Sequence, residues 1–558
     1  MISRWRAALI SSSAVFLASV CAAAPAIRSV AISGNRAISA STIARGSLLR
    51  PGAQYSDSLV LQEVARIDSL YFSIGILSVG MRADTVRAKD GIELRLDIDE
   101  GEVARVGRVT VGGAALLGDE EARAAIRPRE GEPFDPFLLE RSLGALLARY
   151  NESGYPYAQI WLIGFTHRAD SNEVDLAISI SEAERTTIGR IVFEGLAKTD
   201  SSVARRTSRL RPGSLYRSTD VGRGRAYLAS SGLFESVGEA RLDRRGAGTV
   251  DLVLPVKEAK GSGSFQGAVG FSKKGDGTYV ASGAASVSLR NIAGTGRDAA
   301  LDWLNDGQLY SRIALRYREP FIVGTPLSLG VEVTQNVQDS VYVFSAGALS
   351  VGIPAGPSTT VTAGIGADRN VPEYGDLLRS SRRRFRLGMM RKAAGRWDIT
   401  MHAEGAHRKR YFAGGRSKSD GEVLFGFDAS ASIATFDGQS LFLRLASEGV
   451  VAKGEVPIAE TYTLGGANTL RGYREAQFRG EKIVWSSVEY RFGTGGLFFL
   501  FDDVGAYERR GEGWTVKNGA GFGLRAESPV GVVTLSFGVG ERISLSETRL
   551  HVSLSERF

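Results

Sequence analysis

Leu441-Phe442-Leu443-Arg444-Leu445-Ala446 places a leucine at every second position, with an aromatic, a cation and a small residue between them. Successive side chains of a strand point to opposite faces, so this stretch has one wholly apolar face and one mixed face. Outward from it the same alternation recurs throughout residues 261–558, where helical spacing stops. Sixteen strand-like segments can be marked there, the first at 263–272 and the last at 546–558. An even number is what single-chain bacterial membrane barrels carry, and alternation hides their apolar residues from hydropathy scans. No segment is a run of about 20 apolar residues such as a spanning helix needs. Glycine, at 68 of 558 residues, exceeds the usual share of about 7%, as strand-and-turn architectures do. The fold expected for this half is a transmembrane antiparallel β-barrel of about 16 strands.

The first half repeats itself three times with a period near 80 residues. A Gly-x-x-aromatic turn occurs at Gly52-Ala53-Gln54-Tyr55, Gly131-Glu132-Pro133-Phe134 and Gly213-Ser214-Leu215-Tyr216. After each comes a stretch with apolar residues three and four apart, such as Leu138, Leu139, Leu143, Leu146, Leu147 and Tyr150, which predicts an amphipathic helix. Each helix should stop at a glycine in the left-handed region, at Gly75, Gly154 and Gly232. An opening strand precedes each turn, and alternating strands such as Ile92–Ile98 and Val174–Ile180 close each unit. The predicted unit is β-α-α-β-β, a small α+β domain. Its boundaries fall at 27–103, 104–185 and 186–258, ahead of a barrel at 261–558.

Residues 1–23 read as a secretory signal peptide, with Arg4 and Arg6, an apolar run from Ala7 to Val20, and small residues Ala22 to Ala24. Cys21 is the single cysteine, so cleavage after Ala22 or Ala23 leaves a mature chain with no disulfide and no thiolate metal site. The formal charge of +8 comes without interleaved aromatics and does not point to nucleic acid. Arg382-Arg383-Arg384 and His407-Arg408-Lys409-Arg410 read as strand ends or loops facing phosphate-rich headgroups. There is no Gly-x-Ser-x-Gly elbow and no phosphate-binding loop, and the four histidines are too scattered for a metal site. The reading is a non-enzyme without cofactor or metal.

The longest non-strand stretch, Val450 to Gly480, lies between the eleventh and twelfth segments and carries Leu470-Arg471-Gly472-Tyr473. An ordered loop of that length is more often functional than idle. If it folds inward, Arg471 needs a carboxylate. Glu489 shares the parity of Trp485, Ser487 and Arg491, a mixed face suited to the lumen. On the next strand parity leaves Asp502 and Asp503 both open.

In this order, the loop tip Leu470-Arg471-Gly472-Tyr473, Glu489, the Phe501-x-Asp503-x-Gly505 pattern and the terminal Phe558 resemble the outer-membrane assembly-factor superfamily, the group of BamA and TamA. The repeats resemble the polypeptide-transport-associated (POTRA) domain of the bacterial surface antigen family. The resemblance implies that the loop tucks into a 16-stranded barrel and that Arg471 pairs with Glu489 and, by the motif, Asp503. It also implies residence in the outer membrane of a Gram-negative-type bacterium, with the repeats in the periplasm. The implied role is insertion of unfolded outer-membrane or secreted proteins into the membrane, or their passage across it. The implied partners are those clients, outer-membrane lipid and an inner-membrane or periplasmic assembly component, with no nucleic acid. Three repeats look closest to the translocation and assembly module subunit TamA. The alternatives are a dedicated secretion pore for one partner protein and a passive diffusion channel.

The last segment, ending Ser555-Glu556-Arg557-Phe558, resembles the signal by which outer-membrane barrels are recognised for insertion, with Glu556 a departure. The first segment contains Gly263, Gly267 and Gly270 and so offers few cross-strand side-chain pairs. Each such pair is worth about 0.2–1 kcal/mol, so the closure between first and last strands, near Phe558, is expected to be a weak lateral seam.

Overall fold

The computed structural model describes residues 25–89, 91–259, 263–273, 278–305, 310–393, 397–474, 476–493, 497–528, 531–541 and 548–555. The expected signal peptide at 1–23 with Cys21, the expected start of the barrel at Gly261, and Glu556 and Phe558 lie outside the described residues. The chain divides into two units at Thr186–Thr187, which puts the third repeat in the same unit as the barrel.

The first repeat runs β1 (Ile27–Ser33), α1 (Ala40–Ala44), α2 (Asp57–Ser73), β2 (Gly80–Ala88), β3 (Gly91–Asp99). The second runs β4 (Arg105–Gly112), α3 (Asp119–Ala125), α4 (Pro136–Glu152), β5 (Gln159–Arg168), β6 (Glu173–Ser181). The long helices start where side chains satisfy free N–H groups: Ser56 accepts from Leu59, and Asp135 accepts from Phe137 and Leu138 just ahead of Pro136. In both sheets the last strand is central, parallel to the first and antiparallel to the middle one. Its inward residues, Leu94, Leu96 and Ile98 in the first repeat and Leu176, Ile178 and Ile180 in the second, form cores with Tyr71 and Tyr150 of the long helices.

The third repeat departs from the predicted unit. It runs β7 (Thr187–Glu194), α5 (Ser201–Ser208), α6 (Ser218–Ser230), β8 (Phe234–Val237), β9 (Arg241–Gly246), β10 (Thr249–Glu258), so its middle strand is in two pieces. Both pieces pair with β10, and the break falls opposite Pro255, whose nitrogen has no proton for the ladder. Gly238 donates its N–H to the Pro255 carbonyl at 2.8 Å.

The barrel strands, in chain order, are β11 (Gly263–Lys273), β12 (Tyr279–Ile292), β13 (Arg297–Asn305), β14 (Tyr310–Glu319), β15 (Ser328–Gln338), β16 (Tyr342–Gly356), β17 (Thr359–Pro372) and β18 (Leu377–Ala393). They continue with β19 (Trp397–Phe412), β20 (Ser417–Ala434), β21 (Gln439–Ala452), the short β22 (Tyr462–Leu464) and β23 (Phe478–Gly480), then β24 (Lys482–Phe492), β25 (Phe498–Arg509), β26 (Gly513–Ser528), β27 (Gly531–Val539) and β28 (Arg549–Ser555). Sixteen of these form one sheet in which chain neighbours pair antiparallel, while β22 and β23 pair with each other inside the long loop. Alternation holds across the wall. Phe385, Leu387, Val423 and Leu445 face outward and are exposed, while charged residues on the other parity, such as Asp368, Glu404 and Arg408, are buried. That inside-out pattern is what a lipid-facing wall requires.

Several strands run on past the apolar alternation; β18 begins at Leu377 and β20 at Ser417. Their first residues, Leu377-Leu378-Arg379-Ser380-Ser381 and Ser417-Lys418-Ser419-Asp420, show no apolar alternation to mark them. The basic runs accordingly lie within β18 and β19, and alternation splits them. Arg382, Arg384, Arg408 and Arg410 turn inward to Asp368, Glu404, Glu422 and Asp420, while Arg383, His407 and Lys409 turn outward.

The third repeat docks on the barrel ends that follow β12, β14 and β16. Asp200 donates its N–H to the Gly294 carbonyl at 3.0 Å, and Asn291 donates to the Thr199 hydroxyl at 2.9 Å. Arg209 reaches the Pro354 carbonyl at 3.3 Å, and the Arg206 guanidinium lies over the Phe321 ring. Gly294 has φ of +75°, and a Cβ there would stand 2.0 Å from the Lys198 carbonyl oxygen. Because strands alternate, this fixes the opposite ends, including residues 453–481, as the face away from the third repeat.

Candidate functional site

The stretch from residue 453 to 481 folds back into the barrel because it carries its own apolar load. Leu464, Leu470 and Tyr473 pack with Ala446, Ile483, Trp485 and Tyr507 of the wall in a small core. Phe478 bridges the two, edge-on to Tyr473 at 5.0 Å and stacked on Tyr507 at 5.3 Å. The β22–β23 pair satisfies backbone groups that would otherwise be stranded in the lumen.

This packing delivers Arg471 to the wall. Its Nε donates to Asp503 at 2.7 Å, one terminal nitrogen to Glu489 at 2.7 Å, and the other to Asp503 at 2.6 Å and the Ser487 hydroxyl at 2.7 Å. The Arg471 backbone N–H also donates to Asp503, at 3.0 Å. The guanidinium lies 3.6 Å from the centre of the Phe501 ring. Asp503 is 1% exposed as a side chain, whereas Asp502 points outward, so the register distinguishes the two acids that parity left open. Glu489 is also held by Arg491 at 2.7 Å. A guanidinium fork matches carboxylates in a fixed plane, so the site sets orientation as well as charge.

Gly472 has φ of +92°, and a Cβ there would fall 2.6 Å from the Val539 carbonyl carbon, so the loop tip lies backbone against backbone on β27. Gly519 and Gly538 leave the space: a Cβ on Gly519 would meet the Arg471 carbonyl at 2.0 Å, and one on Gly538 would meet the Gly472 nitrogen at 2.6 Å. The Gly472 N–H donates to His551 Nε2 on β28 at 3.1 Å, and the Tyr473 hydroxyl donates to the Asn518 carbonyl on β26 at 2.9 Å. The tip therefore touches each of the last three strands.

A second anchorage was not foreseen. Glu460, in the turn Ile458–Glu460, is 1% exposed as a side chain, 2.7 Å from Arg408 and 3.3 Å from Arg382. Those arginines also hold Glu422 and Asp368 at 2.8 Å and 3.1 Å. The loop is thus tied at its stem to β18–β20 and at its tip to β24–β28. Sequence reading missed Glu460 because it lies outside any strand, and missed His551 because a lone histidine in an alternating strand resembles any other. The triplet Gly519-x-Gly521-x-Gly523 was the available sign that β26 receives another backbone.

The expected seam residues other than Phe558 lie on the first strand of the sheet. Gly263, Gly267 and Gly270 sit on β11, paired with Leu289, Ala285 and Ser282 of β12. Among the described residues the sheet runs from β11 to β28 with no ladder joining its two ends.

Comparison with known proteins agrees with this architecture. The surface antigen variable number repeat, POTRA, matches residues 25–101, 104–183 and 186–259, and the Omp85 superfamily domain matches 416–558. The outer membrane protein assembly factor BamA of Nitratidesulfovibrio vulgaris is 23% identical over 526 residues, 86% of this chain and 65% of that protein. A putative outer membrane protein assembly factor of Treponema pallidum is 26% identical over 310 residues, 54% of this chain and 36% of that protein. The chain thus spans less than two thirds of the length of either relative. The crystal structure of BamA from Haemophilus ducreyi lacking POTRA domains 1–3 superposes with a TM-score of 0.48 at 17% identity, covering 81% of this chain and 98% of that one. Proteins of this kind sit in the outer membrane with their repeats in the periplasm and are not enzymes, and on the matched repeats and barrel domain the chain belongs to the Omp85 superfamily.

Proposed function

We propose that this protein takes unfolded polypeptides on its periplasmic repeats and promotes their insertion into, or passage across, the outer membrane through a lateral seam between β11 and β28. The working parts are repeats at 27–103, 104–185 and 186–258 and a barrel at 261–558, after removal of a signal peptide at 1–23. The observation that carries the reading is the seat of the loop tip: Gly472 rests on β27 and bonds His551 of β28. An inward-folded loop clamped to the last strands braces one side of the closure and leaves the glycine-rich β11 as its weaker side. Exposed strand edges template new strands, which suits a client chain adding at the opened seam. With three repeats, the role of a translocation and assembly module subunit, working with an inner-membrane or periplasmic component, fits better than that of a central assembly subunit.

A passive channel is disfavoured by the packed loop, which brings apolar and paired charged side chains against the inner wall. A disulfide engineered between β11 and β28 should abolish client insertion while the barrel stays folded, and reduction should restore it. Full insertion by the locked protein would overturn the seam. Normal export of a single exoprotein through that locked barrel would instead favour a dedicated secretion pore.

A further inference from the structure

The four outward positions Arg383, His407, Gly421 and Lys453 form a single row across four neighbouring strands. Arg383 pairs in register with His407 and His407 with Gly421, and Lys453 follows directly on the Glu422–Ala452 pair. The next outward row, away from the long loop, is Phe385, Gly405, Val423 and Val451, again in continuous register. Phe385, Val423 and Val451 are exposed, as are the three basic residues. Neither glycine has any atom within 4 Å of where a Cβ would stand. The two missing side chains open a groove of about 810 Å³ in the outer wall, apolar below and basic above. That volume lies within the ~300–1,000 Å³ range of ligand clefts.

The row also marks a boundary. Below it the outward residues of β18 and β20 are Phe385, Leu387 and Met389, and Val423, Phe425 and Phe427. Above it they are Ser381, Lys409 and Ser419. The basic row therefore stands where the apolar band ends, on the side away from the third repeat. The charges differ in kind from their neighbours in the same runs. Arg382, Arg384, Arg408 and Arg410 each face a carboxylate inside the barrel. Among the described residues Arg383, His407 and Lys453 have no carboxylate partner. Cations set beside an apolar groove at a membrane interface are neutralised by lipid anions.

We propose that this groove binds a phosphorylated lipid of the outer leaflet, with an acyl chain over Gly405 and Gly421 and a headgroup phosphate between Arg383 and Lys453. The proposal rests on the membrane location of the barrel and not on the client-insertion reading, so its test measures lipid alone. Full-length protein, with its fold checked by heat-modifiable gel mobility, would be incubated with bis-phosphorylated lipid A, dephosphorylated lipid A or dioleoylphosphatidylglycerol, and retained lipid counted by native mass spectrometry. Both phosphorylated probes should be retained in preference to the dephosphorylated one. Lipid A held above phosphatidylglycerol identifies a glycolipid site, and equal retention identifies a site for any phosphorylated lipid of that leaflet. Removing both fixed charges in R383S/K453S should lower retention roughly thirtyfold, as expected for two interfacial cations at about 1 kcal/mol each. Gly405→Leu should lower it with every charge in place. Undiminished retention by either folded variant, or equal retention of the dephosphorylated lipid, would overturn the site.

Discussion

Arg471 makes five hydrogen bonds through its side chain and backbone, and its removal would leave Asp503 and part of Glu489 as uncompensated charges away from water. Breaking a buried pair from one side costs about 3–5 kcal/mol. Arg471→Ala should therefore unseat the loop, seen as new protease cleavage within 453–481 in a barrel that still runs folded on a gel, and should impair client insertion. Arg471→Lys should rescue little, because an ammonium cannot span two carboxylates in one plane. An Arg471→Ala protein with a protected loop would mean that the Glu460 anchor suffices. The arginine, Glu489 and the acid of the following strand were legible as types in an order. Which of Asp502 and Asp503 faces inward was not, because aromatic and aliphatic residues occupy both parities of β25 and only the ladder with β24 settles its register. His551 was illegible for another reason: its partner Gly472 lies 79 residues away and meets it only once the loop folds inward.

The elements differ in how openly they announced themselves. Helices were readable from apolar residues three and four apart and from their glycine stops, whereas their Ser and Asp caps emerged only in the structure. Strands were readable as far as the apolar band extends, and β18 and β20 ran on past it because polar ends carry no alternation. What the repeats do with their middle strands is a matter of exposed chemistry. In the first repeat β2 shows Arg82, Asp84 and Arg87, and in the third the edge strand is broken between Val237 and Arg241, opposite Pro255 of β10; both are ways of blunting an edge. In the second repeat β5 exposes Trp161 at 47% and Ile163 at 68%, a bare apolar edge. Client capture is therefore expected on β5 above the other two. A photo-cross-linking residue at Ile163 should trap unfolded substrate several-fold more often than one at Asp84, and Ile163→Asp should lower delivery without unfolding the repeat. Equal trapping at both positions would mean that edge chemistry does not select the capture site.

At the scale of the whole molecule, the third repeat behaves as part of the barrel. Glu258, the last residue of β10, accepts N–H bonds from Lys198 at 3.0 Å and Thr199 at 2.7 Å, holding the segment that docks on Gly294. Burial pushes its carboxyl up, but these N–H bonds outweigh burial and leave it below the ordinary value of 4.5. A depressed folded pKa stabilises fully above the unfolded value and loses that stabilisation as pH falls through the folded one. Hydrogen exchange of residues 196–200, corrected for its intrinsic rate, should therefore stay slow down to about pH 4.5 and quicken below it. Glu258→Gln should bring the faster exchange to neutral pH, and unchanged protection in that variant would remove Glu258 from the docking.

The same docking gives the three repeats unequal weight. On the proposed function, a client held by any repeat is presented to a seam whose first strand follows β10 after only a few residues, and the contacts at Gly294, Phe321 and Pro354 fix how the third repeat is presented. The first repeat has no place in that unit, so its loss removes reach and nothing that orients the barrel. Deleting residues 27–103 should then lower client insertion by degrees. Deleting 186–258 should eliminate it, even when the barrel itself still enters the membrane and runs as folded. Matched outer-membrane levels of the two proteins are the necessary control, since a poorly inserted barrel would mimic the second result. Equal defects at matched levels would show that the repeats act by number alone, and that the contacts between the third repeat and the barrel carry no orientation to the seam.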